Sequence, residues 1–310
     1  MTACLAVVGA IRVDLIVRMA TLPGTGQSVA ATALERHSGG RGLSQAAAAS
    51  ALGARASLIA CVGDDEFGPW LAQITDGVGV DTSFMRTVPG SSGIAVIEID
   101  AEGAQRTAGV PGANDLLEAD QVARDIAGIP HLDMVLGQAE LPLPVTAAAF
   151  AAARARGAKT VFNASPFSDG LVEGLETLYP LIDIIVLEAS VASAITGLAT
   201  EAAVDADEAA QAIVDRGVLR VVITRRHRGA VWRAPNGSGS IPVIPARMVD
   251  TMGAGSAFCA GLAVGLAEGQ PFAEALRLAS ATSALSTTVT GSVRNMPTRE
   301  AVEELLELRG

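Results

Sequence analysis

Between residues 119 and 224 the chain alternates short apolar runs with longer Ala-rich stretches, and this rhythm restricts its folding more than any other feature. Residues 134–136, 160–163, 182–187 and 221–224 have the length and apolar content of buried strands, while 119–127, 145–156 and 207–217 have helical length. Strands joined by helices in this way must pair in parallel through right-handed crossovers, which puts helices on both faces of a sheet. Ligands of such a sheet collect beyond the C-terminal ends of its strands.

The first hundred residues add a different pattern. Residues 5–9 read as a short buried strand and 57–62 as another, whereas 11–17, 29–37, 93–99 and 105–108 alternate as partly exposed strands. Asp100-Ala101-Glu102-Gly103 supplies a hairpin-like turn between the last two.

Two Gly-rich turns interrupt this order. Ser38-Gly39-Gly40-Arg41-Gly42-Leu43-Ser44-Gln45 precedes an Ala-rich helix placed at residues 46–52. Asp250-Thr251-Met252-Gly253-Ala254-Gly255-Ser256 precedes an uncharged apolar run over 259–267. A turn that feeds a helix leaves backbone N–H groups without intrahelical acceptors, and the helix dipole adds positive charge there, so Gly253, Ala254 and Gly255 are suited to hold an anion. The bland reading of Gly39 and Gly40 is that they let a helix pack closely on the sheet.

Both turns resemble signatures of the ribokinase-like (PfkB) family of sugar kinases. The family's C-terminal pattern is Asp-Thr-x-Gly-Ala-Gly-Asp, and its N-terminal pattern is Gly-Gly-Lys-Gly-Ala-Asn-Gln-Ala. The resemblance implies an α/β fold, a three-layer α/β/α sandwich with a mostly parallel sheet and a small β lid. One domain is expected over residues 1–310, with lid strands inserted from about 10–38 and 92–110. It further implies ATP-dependent phosphorylation of a sugar-like hydroxyl with Mg2+, a potassium ion as a candidate at the second turn, and a homodimer paired through the lid. Carried over residue by residue, the anion hole is Gly253-Ala254-Gly255, and Asp250 either lies beside a monovalent cation or caps the loop. Gly39, Gly40, Arg41, Ser44, Asp14 and Glu140 fall at sugar-holding positions. Asp14 could equally be an edge-strand residue facing water, and Glu140 a loop charge.

Several positions depart from the pattern. Arg12 stands where the family has Asn, Arg41 replaces Lys and Ser44 replaces Asn. Two guanidinium groups among sugar ligands point to an anionic substrate, a sugar acid or sugar phosphate. On the nucleotide side, Asn-x-x-Glu is replaced by Glu188-Ala189-Ser190-Val191, and Thr224-Arg225-Arg226-His227-Arg228-Gly229 keeps Thr224 and Gly229 while gaining arginines. Arg226 and its neighbours either grip phosphates or form an exposed basic turn.

The largest departure is Ser256, at the position of the family's catalytic base. A hydroxyl accepts no proton at neutral pH without a neighbouring base, and no His is expected nearby; Ser256 is suited instead to a helix start. Loss of a positioned base costs roughly 10²–10⁴-fold in rate. Phosphoryl transfer that is weak or lost is therefore one expectation, and a non-catalytic pseudokinase that binds a sugar or nucleotide as a sensor or assembly subunit is the other.

Composition narrows the class further. The formal net charge of −11 argues against a nucleic-acid surface. No apolar stretch reaches the roughly 18 residues of a membrane helix, and Arg12 and Asp14 break the N-terminal run that would otherwise suggest a signal. Cys4, Cys61 and Cys259 are widely separated, and His37, His131 and His227 equally scattered, so a reduced, cytoplasmic protein without a disulfide or zinc framework is expected.

Overall fold

The computed structural model describes residues 2–309. Its first strand, β1 (Cys4–Val8), is buried along its whole length, as apolar residues without alternation require of a strand covered on both faces. The chain then makes two strands of another sheet, β2 (Arg12–Met19) and β3 (Ala31–Gly39), and returns through α1 (Arg41–Ala51) to β4 (Arg55–Gly63) beside β1. Helix α2 (Phe67–Gly77) leads to β5 (Met85–Val88), and β6 (Gly93–Ile99) and β7 (Gln105–Val110) complete the second sheet.

Helix and strand alternate from there: α3 (Ala119–Gly128), β8 (Met134–Gln138), α4 (Leu143–Ala155), β9 (Lys159–Asn163) and α5 (Asp169–Leu178). Next come β10 (Ile184–Glu188), α6 (Ala189–Thr196), α7 (Ala203–Val214) and β11 (Arg220–Thr224). The hairpin β12 (Ala230–Ala234) and β13 (Gly237–Ile241) precedes helices α8 (Ala254–Ala267), α9 (Phe272–Ser286) and α10 (Arg299–Arg309).

The large sheet has the order β13-β12-β11-β10-β9-β8-β1-β4-β5. Pairing is parallel from β11 to β5 and antiparallel at β12 and β13. One face is covered by an apolar layer that includes α1, α8 and α9, and the other by a layer that includes α3, α4 and α7. This is the expected three-layer α/β/α sandwich. The small sheet has the order β3-β2-β6-β7. One of its faces carries Ile16, Ala95 and Ile97, packed with Ile99 and with Met252 of the loop before α8. That contact sets the small sheet over the C-terminal ends of the central strands.

One boundary differs in a way that matters for function. Helix α1 starts at Arg41, not at residue 46, so Arg41, Ser44 and Gln45 project from its first turns. The start is fixed by backbone contact, since a Cβ on Gly42 would lie 2.5 Å from the Gly9 carbonyl carbon. Glycine alone allows α1 to sit this close to the end of β1. The α2, β12–β13, α9 and α10 elements were not read from the sequence.

Candidate active site

The second Gly-rich turn opens a helix, as its sequence implies. Gly253 takes a left-handed conformation (φ 83°) immediately before α8, and a Cβ there would meet the Ser292 Cβ at 2.7 Å. Asp250 holds the turn from beneath: Oδ1 accepts from Met252 N–H (2.9 Å) and Oδ2 from Gly291 N–H (3.0 Å). Val249 and Asp250 N–H groups both donate to the Thr287 carbonyl (2.7 and 3.1 Å), so the turn and the loop after α9 form one unit. Asp250 therefore acts as a loop cap, one of the two roles expected of it. The N–H groups of Gly255 and Ser256 have no protein acceptor among the described residues. An anion placed there would satisfy two donors on the helix axis.

Ser256 is buried in the first turn of α8. Its hydroxyl makes no hydrogen bond among the described residues, and no carboxylate lies within bonding reach of it. The turn can hold negative charge, but it supplies no base.

Facing it, the sugar-holding positions converge. Asp14, on the internal strand β2, is 5% exposed, which removes the reading of a water-facing edge residue. Gly39 makes room for it, because a Cβ at that position would sit 2.0 Å from Asp14 Oδ2. Arg12 Nε donates to Asp14 Oδ1 and Nη1 to Glu140 Oε1, both at 2.7 Å. Glu140 also accepts from the Arg41 backbone N–H and from Arg41 Nη1, again at 2.7 Å. Glu140 is thus the cap of α1 and the centre of the cluster, not a stray loop charge. Burial drives the Asp14 carboxyl above its usual pKa and Arg12 offsets this in part; burial also disfavours the Arg12 guanidinium, yet Glu140 and Asp14 hold its pKa above the ordinary value.

Two cations and two anions cancel, so the cluster carries no net charge. What remains for a ligand is of both kinds: Arg12 Nη2 and Arg41 Nε and Nη2 have no protein acceptor, and Asp14 Oδ2 has no donor, among the described residues.

Asn114, Ser292 and Gln138 have no role in the sequence analysis. Asn114 Oδ1 accepts from Ile11 N–H (2.9 Å) and its Nδ2 donates to the Ile11 and Pro111 carbonyls (2.9 and 2.8 Å), tying the entry of one sheet to the exit of the other. Ser44 Oγ lies 3.2 Å from Ser292 Oγ, linking α1 to the loop after α9. Gln138 Nε2 donates to Gln45 Oε1 (2.7 Å) in full burial, beneath Gly9. A polar residue directly after a strand was the available signal for Gln138; Ser292 offered none.

At the nucleotide end, Thr224 Oγ1 donates to the Leu187 carbonyl (3.3 Å), and Gly229 passes so close to Ile241 that a Cβ would lie 2.0 Å from its carbonyl oxygen. Arg225 and Arg228 each donate one N–H to the Glu201 carbonyl, which fastens this turn to the loop before α7. Arg226 is 83% exposed and pairs loosely with Glu188 at 3.8 Å, while Val191 is buried. The carboxylate here is Glu188, loosely paired with Arg226, and one carboxylate together with substrate phosphates and water is a donor set that would suit a magnesium ion. A nucleotide phosphate fits the free N–H groups of α8.

At the opposite end of the sheet the fold assembles a group the sequence reading held apart. One ligand atom each from Cys4, His131 and Asp133 lies within 4.8 Å of the others. Arg55 Nε and Nη2 approach Cys4 Sγ at 3.2 and 3.1 Å, so a guanidinium already takes the sulfur. Cys259 is buried and its thiol is pushed up to about 12, which leaves it inert. No helix among the described residues is long and apolar enough to cross a membrane.

Comparison with known proteins agrees with this geometry. Residues 3–299 match the pfkB family carbohydrate kinase. The chain is 31% identical to a ribokinase of Haemophilus influenzae over 98% of both proteins, and 32% identical to one of Bacillus subtilis over 97% of this chain and 98% of the relative. The structure of Arabidopsis thaliana ribokinase complexed with ribose and ATP superposes with a TM-score of 0.89, at 27% identity and 99% coverage of both chains. A helix start with unpaired N–H groups, a small sheet packed against the loop before it and this likeness along nearly the full length lead to one assignment: the chain belongs to the PfkB family of carbohydrate kinases, with the ribokinase fold.

Proposed function

We propose that the cleft between the small sheet and α8 binds a small sugar-like molecule bearing a carboxylate or phosphate, and that phosphoryl transfer from ATP to it is slow or lost. The observation that carries this reading is Ser256, whose hydroxyl has no carboxylate partner among the described residues where the family places its base. The acidic ligand is supported by the opposite wall, where Asp14 and Glu140 are paired with Arg12 and Arg41 and both arginines keep N–H groups without a protein acceptor among the described residues. ATP, if used, would place its phosphates against the N–H groups of Gly255 and Ser256, which would stabilise charge developing on the transferred group.

The test is a phosphate-transfer assay over neutral sugars, sugar acids, sugar phosphates and nucleosides, run on the native protein and on Ser256→Asp. The expected result is little or no turnover by the native protein and a gain of roughly 10²–10⁴-fold in the variant. Full turnover by the native protein overturns the reading. Ligand-dependent thermal shifts with no turnover in either protein identify the non-catalytic role.

The small sheet is also the expected surface for pairing two copies. By strand register Leu34, Val96 and Val110 fall on one face of it, all three exposed. Exposed apolar residues gathered on one face favour association.

A further inference from the structure

A cavity of about 420 Å³ lies outside the cleft, at the free edge of β3, between that strand, α2 and the loop after α9. Its walls include Arg36, Trp70, Ile74, Val293, Arg294 and Asn295, and no carboxylate. In a chain of net charge −11 such a lining is against the general balance.

The two arginines are free to act. Arg36 lies over the Trp70 ring, 4.8 Å from its centroid, and neither Arg36 nor Arg294 forms an ion pair among the described residues. His37, also on the wall, is already engaged by Glu35 at 3.1 Å. A guanidinium stacked on an indole keeps its edge N–H groups available, and a second one across a cavity with an apolar floor gives the forked donors that bind oxyanions. The volume falls within the usual range for small-molecule sites, about 300–1,000 Å³.

We propose that this cavity is a second binding site, for a small oxyanion (phosphate ester or carboxylate) held by Arg36 and Arg294 with its body against Trp70. The site shares a wall with the turn before α8. Gly291, next to the cavity, donates to Asp250, and Ser292 touches both Ser44 and the Gly253 turn. A ligand that fixes this loop therefore alters the affinity of the cleft, and by reciprocity the cleft's ligand alters the affinity of this site by the same factor.

The experiment uses the full chain with Trp232→Phe, which leaves Trp70 as its single indole. Inorganic phosphate and, separately, malonate are titrated while Trp70 fluorescence and heats of binding are followed. A saturable change with at least one of them is expected, and the tighter one indicates the phosphate or the carboxylate source. Arg36→Ala and Arg294→Ala should each weaken it about tenfold or more, corresponding to about 1.4 kcal/mol, with Arg36→Lys and Arg294→Lys retaining part of the affinity. Arg106→Ala, an equal loss of charge elsewhere, should leave it unchanged. Absence of saturable binding of either anion, or binding that survives loss of both arginines in variants shown to be folded by their thermal transitions, overturns the proposal.

Discussion

In the proposed function, a hydroxyl at residue 256 in place of a carboxylate removes a proton acceptor and leaves a backbone donor in place. Glu140 shows the reverse, a residue whose loss would be structural and functional together. It accepts three hydrogen bonds from two arginines and is nearly enclosed, whereas the arginines keep a quarter to a third of their side chains in water. Discounted for that exposure, Glu140→Gln should destabilise the protein by about 1–3 kcal/mol, read from chemical denaturation, and weaken ligand binding in the cleft.

Asp14 adds a pH signature at the same scale. Because burial raises its pKa, the folded state takes up the proton more readily than the unfolded chain. Its contribution to stability is fully present below the ordinary carboxylate range and is lost as pH rises through the raised value. Asp14→Asn should remove this slope from the stability profile, and an unchanged slope would show that other carboxyls produce it.

Among the elements, α1 and α2 depend on contacts of different kinds. Helix α1 rests on the end of β1 through glycine alone, so Gly42→Ala must push the helix away from Gly9. A cost of about 1–3 kcal/mol is expected, measured by denaturation, together with weaker ligand binding because Arg41 and Ser44 move with the helix. Helix α2 starts on Asp65, whose Oδ1 accepts from the N–H groups of Phe67 and Gly68 and from Ser92 Oγ, while Oδ2 accepts from Ser92 N–H. Burial opposes the charged form, but the bonds from Ser92, Gly68 and Phe67 outweigh it and hold the pKa below the usual value. The stability this supplies is present above the unfolded-state value and is lost as pH falls through the lower folded-state one. Asp65→Ala should cost about 1–2 kcal/mol at neutral pH and proportionally less in acid.

These elements differ in how well the sequence announced them. Strand β6 was legible because one face is buried and its residues alternate. The start of α1 was not, because Arg41 to Gln45 form a helix only with Glu140 on the first N–H and Gly9 against Gly42, two contacts that local periodicity does not encode. The Ala-rich segments were legible as helices, but nothing in them distinguished which layer each would join.

At the scale of the molecule, the two sheets divide the labour: the layer on the large one presents the turn before α8, and the small one carries Asp14 and Arg12. The exposed face of the small sheet supports the pairing of two copies. Leu34→Arg, at a residue 69% exposed, should shift the protein from dimer to monomer in light scattering without loss of folding; a native protein that is already monomeric would exclude this surface as an interface.

The chain's own order of residues was enough to determine the alternation that makes a parallel sheet, the glycine turn that starts α8 and the absence of an acid at 256, because each is carried by neighbours within a few residues. Tertiary structure alone decided that Arg12 and Arg41 neutralise Asp14 and Glu140, that Asp250 fastens the turn to Gly291, and that Arg36 and Arg294 share a cavity. Glu140 lies 128 residues from Arg12 and 99 from Arg41 in sequence. They meet because β1 pairs with β8 in the central sheet, and which distant strand ends become neighbours is fixed by sheet order and not by any local pattern.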